Sequence, residues 1–440
     1  MRKTVLRVAC VMIALSAIAW AQQQSGEEAL LARARAIHER AITIDTHVDI
    51  PGADYATPEL DPGTNTRLKC DLVKMKAGGL DGVFLAVYVG QNPALNAEGY
   101  KRAYDQAIVK FDAIHRLAEK MHPDKAEIAL TPDDVVRIEK TGKRVILIGI
   151  ENGYTIGEDL SLIGKYYDLG TRYITLTHSG HNQIADSAGP REPMHNGLSA
   201  FGRKVVAEMN RLGIMIDVSH IATKSYWDLI EASKAPIIAS HSGCAALAPN
   251  ARNLDDDQLR ALAKNGGVIQ IVALGSYLKV DSPERAAAIS KLREELGMGG
   301  RGGGGRGAGG AAGAAGGRAA VGAQPPQQQL TAEQQAEAAK RRAVYEERMK
   351  EVNAKYPPAS IKEFVDHIDH AVKVAGIDHV GVGTDFDGGG GVPGFNDHSE
   401  ALNVTVELVR RGYTEEQIRK IWGGNLLRVW REVRKVAGLS

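Results

Sequence analysis

The sequence predicts an α/β fold, a (β/α)8 TIM-like barrel with a Gly-rich insertion before its last strand. Three observations carry this. Eight short apolar or β-branched runs recur along the chain, each followed by a longer stretch with helical spacing, which is the pattern of parallel βαβ units. The 440 residues, 44% of them hydrophobic, suffice for the core of such a barrel. The main rival is a doubly wound open sheet, and no G-x-G-x-x-G follows any run as its dinucleotide-binding form requires.

In chain order, residues 1–21 read as a secretory signal. Arg2, Lys3 and Arg7 make a basic start, and "VACVMIALSAIAW" is an apolar run too short to span a membrane. "AWA" then offers an A-x-A cleavage site ending at Ala21. Residues 22–440 would form one exported domain, periplasmic or extracellular, with no transmembrane span in the mature chain. Cleavage removes Cys10 and leaves Cys70 and Cys244. Two distant cysteines are no disulfide framework, and one bridge or two buried thiols are both open. The formal net charge of +1 gives no footprint for nucleic acid or an anionic membrane.

Residues 25–40, "SGEEALLARARAIHER", carry the spacing of a helix. The eight expected strands are 42–47 "ITIDTH", 83–90 "VFLAVYVG", 145–151 "VILIGIE", 173–178 "YITLTH", 214–220 "IMIDVSH", 237–241 "IIASH", 267–273 "GVIQIVA" and 379–385 "HVGVGTD". Spacers such as "AEGYKRAYDQAIVKFDAIHRLAEKM" and "GRKVVAEMNRLG" supply the helices. Residues 297–329 interrupt the pattern with a low-complexity Gly/Ala tract that cannot bury a core and is expected to be a flexible loop. The charged segments on either side, 283–296 and 330–355, are expected to pair as a helical hairpin with that loop at its tip.

The ends of the strands carry the chemistry. His47 ends the first, with Asp49 just beyond; Glu151, His178, His220, His241 and Asp385 end the third, fourth, fifth, sixth and eighth. Four of these are histidines, from only 13 in the chain. A barrel gathers its strand ends on one face, where active sites sit. Imidazole and carboxylate together suit zinc and similar divalent ions. His47, Asp49, Glu151, His220 and His241 supply the five ligands that a two-metal centre needs. Such a centre lowers the pKa of a bridging water and polarises the carbonyl under attack. Asp385 then remains as proton shuttle, and His178 for the developing oxyanion.

Asp45, His47 and Asp49 alternate and are expected on one face of the first strand. From there Asp45 would either orient His47 or help close the barrel mouth. Asp387 precedes "GGGG" and is expected to shape a turn. His181 and His195 are expected as solvated loop residues.

The motifs "IDTHVDI", "GIENGYTIGEDLSLI", "GTRYITLTHSGHNQIADS", "GIMIDVSHI", "IIASHSG", "ARNLDDDQL", "GVGTDFDG" and "GGNLLRVW" occur in this order. In them the chain resembles the membrane (renal) dipeptidase family of zinc peptidases, within the amidohydrolase superfamily, from about residue 40 to 435. The resemblance implies two Zn2+ per chain, His47 and Asp49 on one, His220 and His241 on the other, and Glu151 bridging. It implies His178 and Arg252 as substrate contacts, Arg252 holding the terminal carboxylate through its two-pronged guanidinium, and Asp385 as acid/base. The implied reaction is dipeptide hydrolysis by a metal-bridging hydroxide, a C-terminal D-residue being allowed. The alternative is a related amidohydrolase acting on an N-acyl amino acid or a lactone. The family often dimerises, which leaves a homodimer open.

Overall fold

A computed structural model describes residues 25–92, 94–298 and 332–439. The expected signal segment, 1–21, and all but the first two residues of the expected insertion, 297–329, lie outside the described residues. Among the described residues no helix is long and apolar enough to cross a membrane.

All eight expected strands form. They are β1 (Ile44–Asp49), β2 (Gly82–Tyr88), β4 (Arg144–Glu151), β5 (Thr171–Thr175), β6 (Met215–Asp217), β7 (Ile237–Ser242), β8 (Val268–Ile271) and β9 (Val380–Val382). They pair in that order, every pair parallel. One strand was not expected: β3 (Ala126–Ile128) pairs with the start of β4, outside the main path. Its three residues are too few to show any period. The sheet nearly closes on itself just past β9, where the Asp385 amide donates to the His47 carbonyl and the Asp49 amide to the Phe386 carbonyl, each at 2.9 Å. The result is a nearly closed barrel of eight parallel strands wrapped by helices.

Ile44, Phe84, Leu147, Tyr173, Met215, Ile238 and Val268 share one buried cluster with Trp430 and Val433 of the C-terminal helix Asn425–Val436. Side chains from seven strands can meet only inside the barrel, so its N-terminal half is a solid apolar plug. A larger cluster fills the layer between strands and helices. Chemistry is therefore confined to the opposite, C-terminal mouth.

Several strands stop earlier than expected. The ladders end at Thr175, Asp217 and Val382, so His178, His220 and Asp385 stand in the loops just beyond. His220 and Asp385 have φ of +69° and +59°, a left-handed turn that a strand cannot contain and that costs of order 1–3 kcal/mol for a non-glycine residue.

The register also shifts within β1, between Asp45 and Val48, and within β7, between Ala239 and Ser242. Bulges of this kind re-aim side chains near sites. They are why Asp45 and His47 do not share a contact face as simple alternation predicts.

The helices Pro283–Glu295 and Ala332–Lys355 pack on each other. Arg348 pairs with Glu295 at 2.6 Å, and the buried Arg285 donates to Asn353 at 2.9 Å and to the Tyr356 carbonyl at 2.7 Å. Cys70 and Cys244 are both buried free thiols.

Candidate active site at the C-terminal mouth

Glu151 sits at the centre. It ends β4 on the same side as Leu147 and Gly149, following the alternation of the strand. Its two oxygens face different neighbours. Oε1 lies 3.1 Å from His220 Nε2, 3.5 Å from His178 Nε2 and 3.8 Å from His241 Nε2. Oε2 lies 3.7 Å from His47 Nε2, too far for a hydrogen bond. Glu151 Oε2 and His47 Nε2 are buried and have no hydrogen-bond partner among the described residues. Buried polar atoms are rarely left so, and an ion is one standard explanation.

The other expected ligands converge on this point. His220 and His241 bring their Nε2 atoms to 3.0 Å of one another, and the rings of His47 and His241 have centroids 3.8 Å apart. Asp49, His47 and Asp385 form a third group whose donor atoms all lie within 4.8 Å of one another. Asp385 Oδ1 is 4.0 Å from His47 Nε2. His178 is not set apart either: its ring centroid is 4.2 Å from that of His220, and it shares a potential ligand group with Glu151 and His220. All seven side chains expected at the mouth are thus in one cluster.

Its electrostatics suit a cation. Burial pushes the Glu151 carboxyl up, but the charges of His178 and His47 and a hydrogen bond from His220 hold it well below the usual carboxylate range. Burial drives His220 and His241 well below the ordinary imidazole value, helped by repulsion from Arg252. Both rings are therefore neutral, the form that binds metals. Burial opposes protonation of His47 too, yet the carboxylates of Glu151, Asp49 and Asp385 raise it to about 9.

A cavity of about 190 Å3 opens beside the cluster, lined by Glu151, His178, Ser179, Gly189, His220, Arg252, Leu274, Tyr277 and Asp385. Arg252 stands on its wall with its guanidinium 5.4 Å from the Tyr277 ring centroid and a buried Nε that has no hydrogen-bond partner among the described residues. It does not cap a helix: Asp255 caps the following helix, Asp256–Lys264.

Some expected residues land elsewhere. Asp45 does not touch the His47 ring; its carboxylate accepts from the Thr384 amide at 2.9 Å, the Thr384 hydroxyl at 2.5 Å and the His47 amide at 3.1 Å, and pairs with His398 at 2.8 Å. It ties β1 to the end of β9, so its role is closure. The ring of His47 is instead held by the Tyr173 hydroxyl, 2.8 Å from Nδ1. Asp387 does lie in a turn, as expected, with φ of +60°, and it also accepts from the amides of Lys69 and Cys70. His181 is not solvated. Its Nδ1 accepts from the Ser187 amide at 2.9 Å and its Nε2 lies 2.8 Å from the Glu192 carbonyl. His195 is half-buried, with Nε2 2.8 Å from the Asn182 carbonyl. Sequence reasoning missed Tyr173, Asp217 and Ser240, which lie under the ligands inside the barrel. Their polar character at inward positions of strands was the available signal.

Comparison with known proteins gives one family. The sequence profile of the membrane dipeptidase family (Peptidase family M19) matches residues 31–439. The dipeptidase tcpJ of Claviceps purpurea (strain 20.1) is 31% identical over 372 residues, 83% of this chain and 70% of that protein. The crystal structure of the probable dipeptidase PvdM from Pseudomonas aeruginosa matches with a TM-score of 0.76 at 32% identity, covering 93% of this chain and 100% of that one. A metallo peptidase from Rhodobacter sphaeroides, solved with a phosphinate mimic of the dipeptide L-Ala-D-Ala, shares the fold at 21% identity and a TM-score of 0.62, over 89% of this chain and 99% of that one.

Proposed function

The chain belongs to the membrane dipeptidase family of metallopeptidases, peptidase family M19, a family of hydrolases, and from that premise we propose that it is a binuclear zinc dipeptidase. The observation that carries the reading is Glu151. Its carboxylate presents one oxygen to His220 and His241 and the other to His47, as a bridge between two ions must. His47 and Asp49 would hold one Zn2+, and His220 and His241 the other. Neutral imidazoles and carboxylates are the donor set that zinc takes. When bound, the ions supply a water of lowered pKa as nucleophile and polarise the scissile carbonyl.

The chain's own groups do the rest. Arg252, which lines the same cavity as Glu151, receives the C-terminal carboxylate of the substrate and fixes the direction of binding. His178 faces the cavity and donates to the carbonyl oxygen as its charge develops. Asp385, which lines the cavity with Oδ1 4.0 Å from His47 Nε2, takes a proton from the attacking water and returns it to the leaving amine. The cavity, about 190 Å3, is smaller than the ~300–1,000 Å3 usual for drug-sized ligands, which suits a dipeptide. A C-terminal D-residue is part of the proposal. So is export: residues 1–21 would be removed and the mature chain would start at Gln22.

The test is a panel of L-L and L-D dipeptides with enzyme whose metal content has been measured. Cleavage of some members with two ions per chain is expected; no cleavage with both ions bound overturns the reading. The second reading, an N-acyl amino acid or lactone substrate, is separated by Arg252→Ala. For a dipeptidase this variant raises KM by about 10–100-fold, the ~1.5–3 kcal/mol of a charged hydrogen bond. An unchanged KM means that the site does not read a free carboxylate.

A further inference from the structure

The interior of the barrel holds a polar chain directly beneath His241. Asp217, at the end of β6, is fully buried. Its Oδ1 accepts from the amides of Ser219 at 3.0 Å and Ser240 at 2.7 Å; its Oδ2 accepts from the hydroxyls of Thr175 at 2.5 Å and Ser240 at 2.6 Å. Four donors fill the acceptor sites of one carboxylate. Ser240 Oγ is also 2.8 Å from His241 Nδ1. Such a contact between adjacent residues of β7 coincides with the register shift between Ala239 and Ser242.

Ser240 has a single hydroxyl proton. A carboxylate can only accept, so the short contact to Asp217 claims that proton, a charge-assisted bond stronger than a neutral one. Towards His241, Ser240 Oγ then has only a lone pair to offer. His241 Nδ1 must carry the ring proton and donate it, which leaves Nε2 as a bare lone pair. That Nε2 is the atom 3.0 Å from His220 Nε2 and 3.8 Å from Glu151 Oε1.

We propose that Asp217 and Ser240 are positioning residues that lock His241 in its Nδ1–H tautomer and so hold its Nε2 ready for the metal. This rests on the ligand role of His241 proposed above. Metal-binding histidines depend on such a partner at the other ring nitrogen, whose loss costs about 10–100-fold in metal affinity.

The test strips the full-length enzyme of metal and titrates it with Zn2+ against a chromophoric chelator, so that the two binding steps are read without activity. Ser240→Ala is expected to weaken one step by about 10–100-fold and leave the other within about threefold, while the lost bond to Asp217 also lowers the melting temperature of the metal-free protein. Ser240→Thr, which keeps the hydroxyl, should restore that step. Asp217→Asn should weaken it at least as much as Ser240→Ala. The amide oxygen would stay on the two backbone N–H groups, and its NH2 would donate to Ser240 Oγ and turn the hydroxyl proton towards His241 Nδ1. Nitrogen-15 NMR of the metal-free protein should show His241 as the Nδ1–H tautomer in the parent and a shift towards Nε2–H in Ser240→Ala. Unchanged binding steps in Ser240→Ala, or an Nε2–H tautomer in the parent, overturn the proposal. If His241→Ala also keeps both steps, the ligand role has failed; if it loses one while Ser240→Ala loses none, only the relay has failed.

Discussion

At the scale of single residues, the proposed ligand set was legible because its members stand at or just past strand ends, and strand ends in a barrel converge. His47, Glu151, His220 and His241 were expected together for that reason, and they cluster. Asp45 was not legible in that way: alternation places it beside His47, but the register shift after it sends its carboxylate to Thr384 and His398. A bulge has no signature in a short β-branched run. Gly388 was equally hidden. A Cβ there would lie 2.0 Å from Asp49 Oδ2 and 2.2 Å from Asp385 Oδ1, so bare backbone wraps the two carboxylates. Both carboxylates must move to admit a methyl there. A shift of about 1 Å at a site can cost about 100-fold in rate. Gly388→Ala is therefore expected to lower kcat by about that factor and to reduce bound metal towards one ion per chain, with the fold intact. Turnover together with elemental analysis checks it; full metal content at parental kcat would show that the carboxylates have room to spare.

At the scale of elements, the start of one helix bears on the cavity wall. The helix Ile361–Ala375 starts at Ser360, whose hydroxyl and amide both engage Glu363 in a capping box. Lys279, in the segment just past Tyr277, reaches Glu363 Oε1 at 3.0 Å, so the cap also fastens the cavity wall to the helix that precedes β9. Burial alone would raise the Glu363 carboxyl, but the Ser360 and Lys279 contacts overrule it and lower it to about 2. A depressed carboxyl gives stability that is complete above its unfolded value, near 4.3, and that is lost as pH falls towards 2. Ser360→Ala should cost about 1 kcal/mol at pH 7. Glu363→Gln should flatten the loss of stability between about pH 4.5 and 2. Urea midpoints across that range decide it, and an acid slope as steep as the parent's would place the titration elsewhere. The strand β3 was missed because three residues show no period, and β6 and β9 proved short because left-handed turns at His220 and Asp385 end their ladders.

At the scale of the whole molecule, the barrel divides into a plug and a mouth. The plug is apolar and sealed by the helix Asn425–Val436. The mouth is held by polar groups from β1, β4 and β7 and from the loops after β6 and β9; among the described residues, His47 Nε2 and Glu151 Oε2 there are buried with no hydrogen-bond partner. That division follows from the eight runs, which are mainly apolar and, in six of them, ionisable at the end. The closing contacts between β1 and the segment after β9 do not follow from them, because they depend on a turn geometry that Asp385 alone does not announce. Ions that bind only the folded state stabilise it by mass action, about 4 kcal/mol for a site at 1,000 times its Kd. Since the ligands come from strands all around the barrel, this stabilisation belongs to the mouth as a unit. Chelation is expected to lower Tm by several degrees and to speed amide exchange in the segments just past β1, β4, β6, β7 and β9 together. The plug and the helix Asn425–Val436 should keep their protection, because no ligand lies there. Exchange that rises equally at both ends would mean that the metal centre supports the entire fold. Exchange that rises in one loop alone would mean that the five segments are not joined through a shared site.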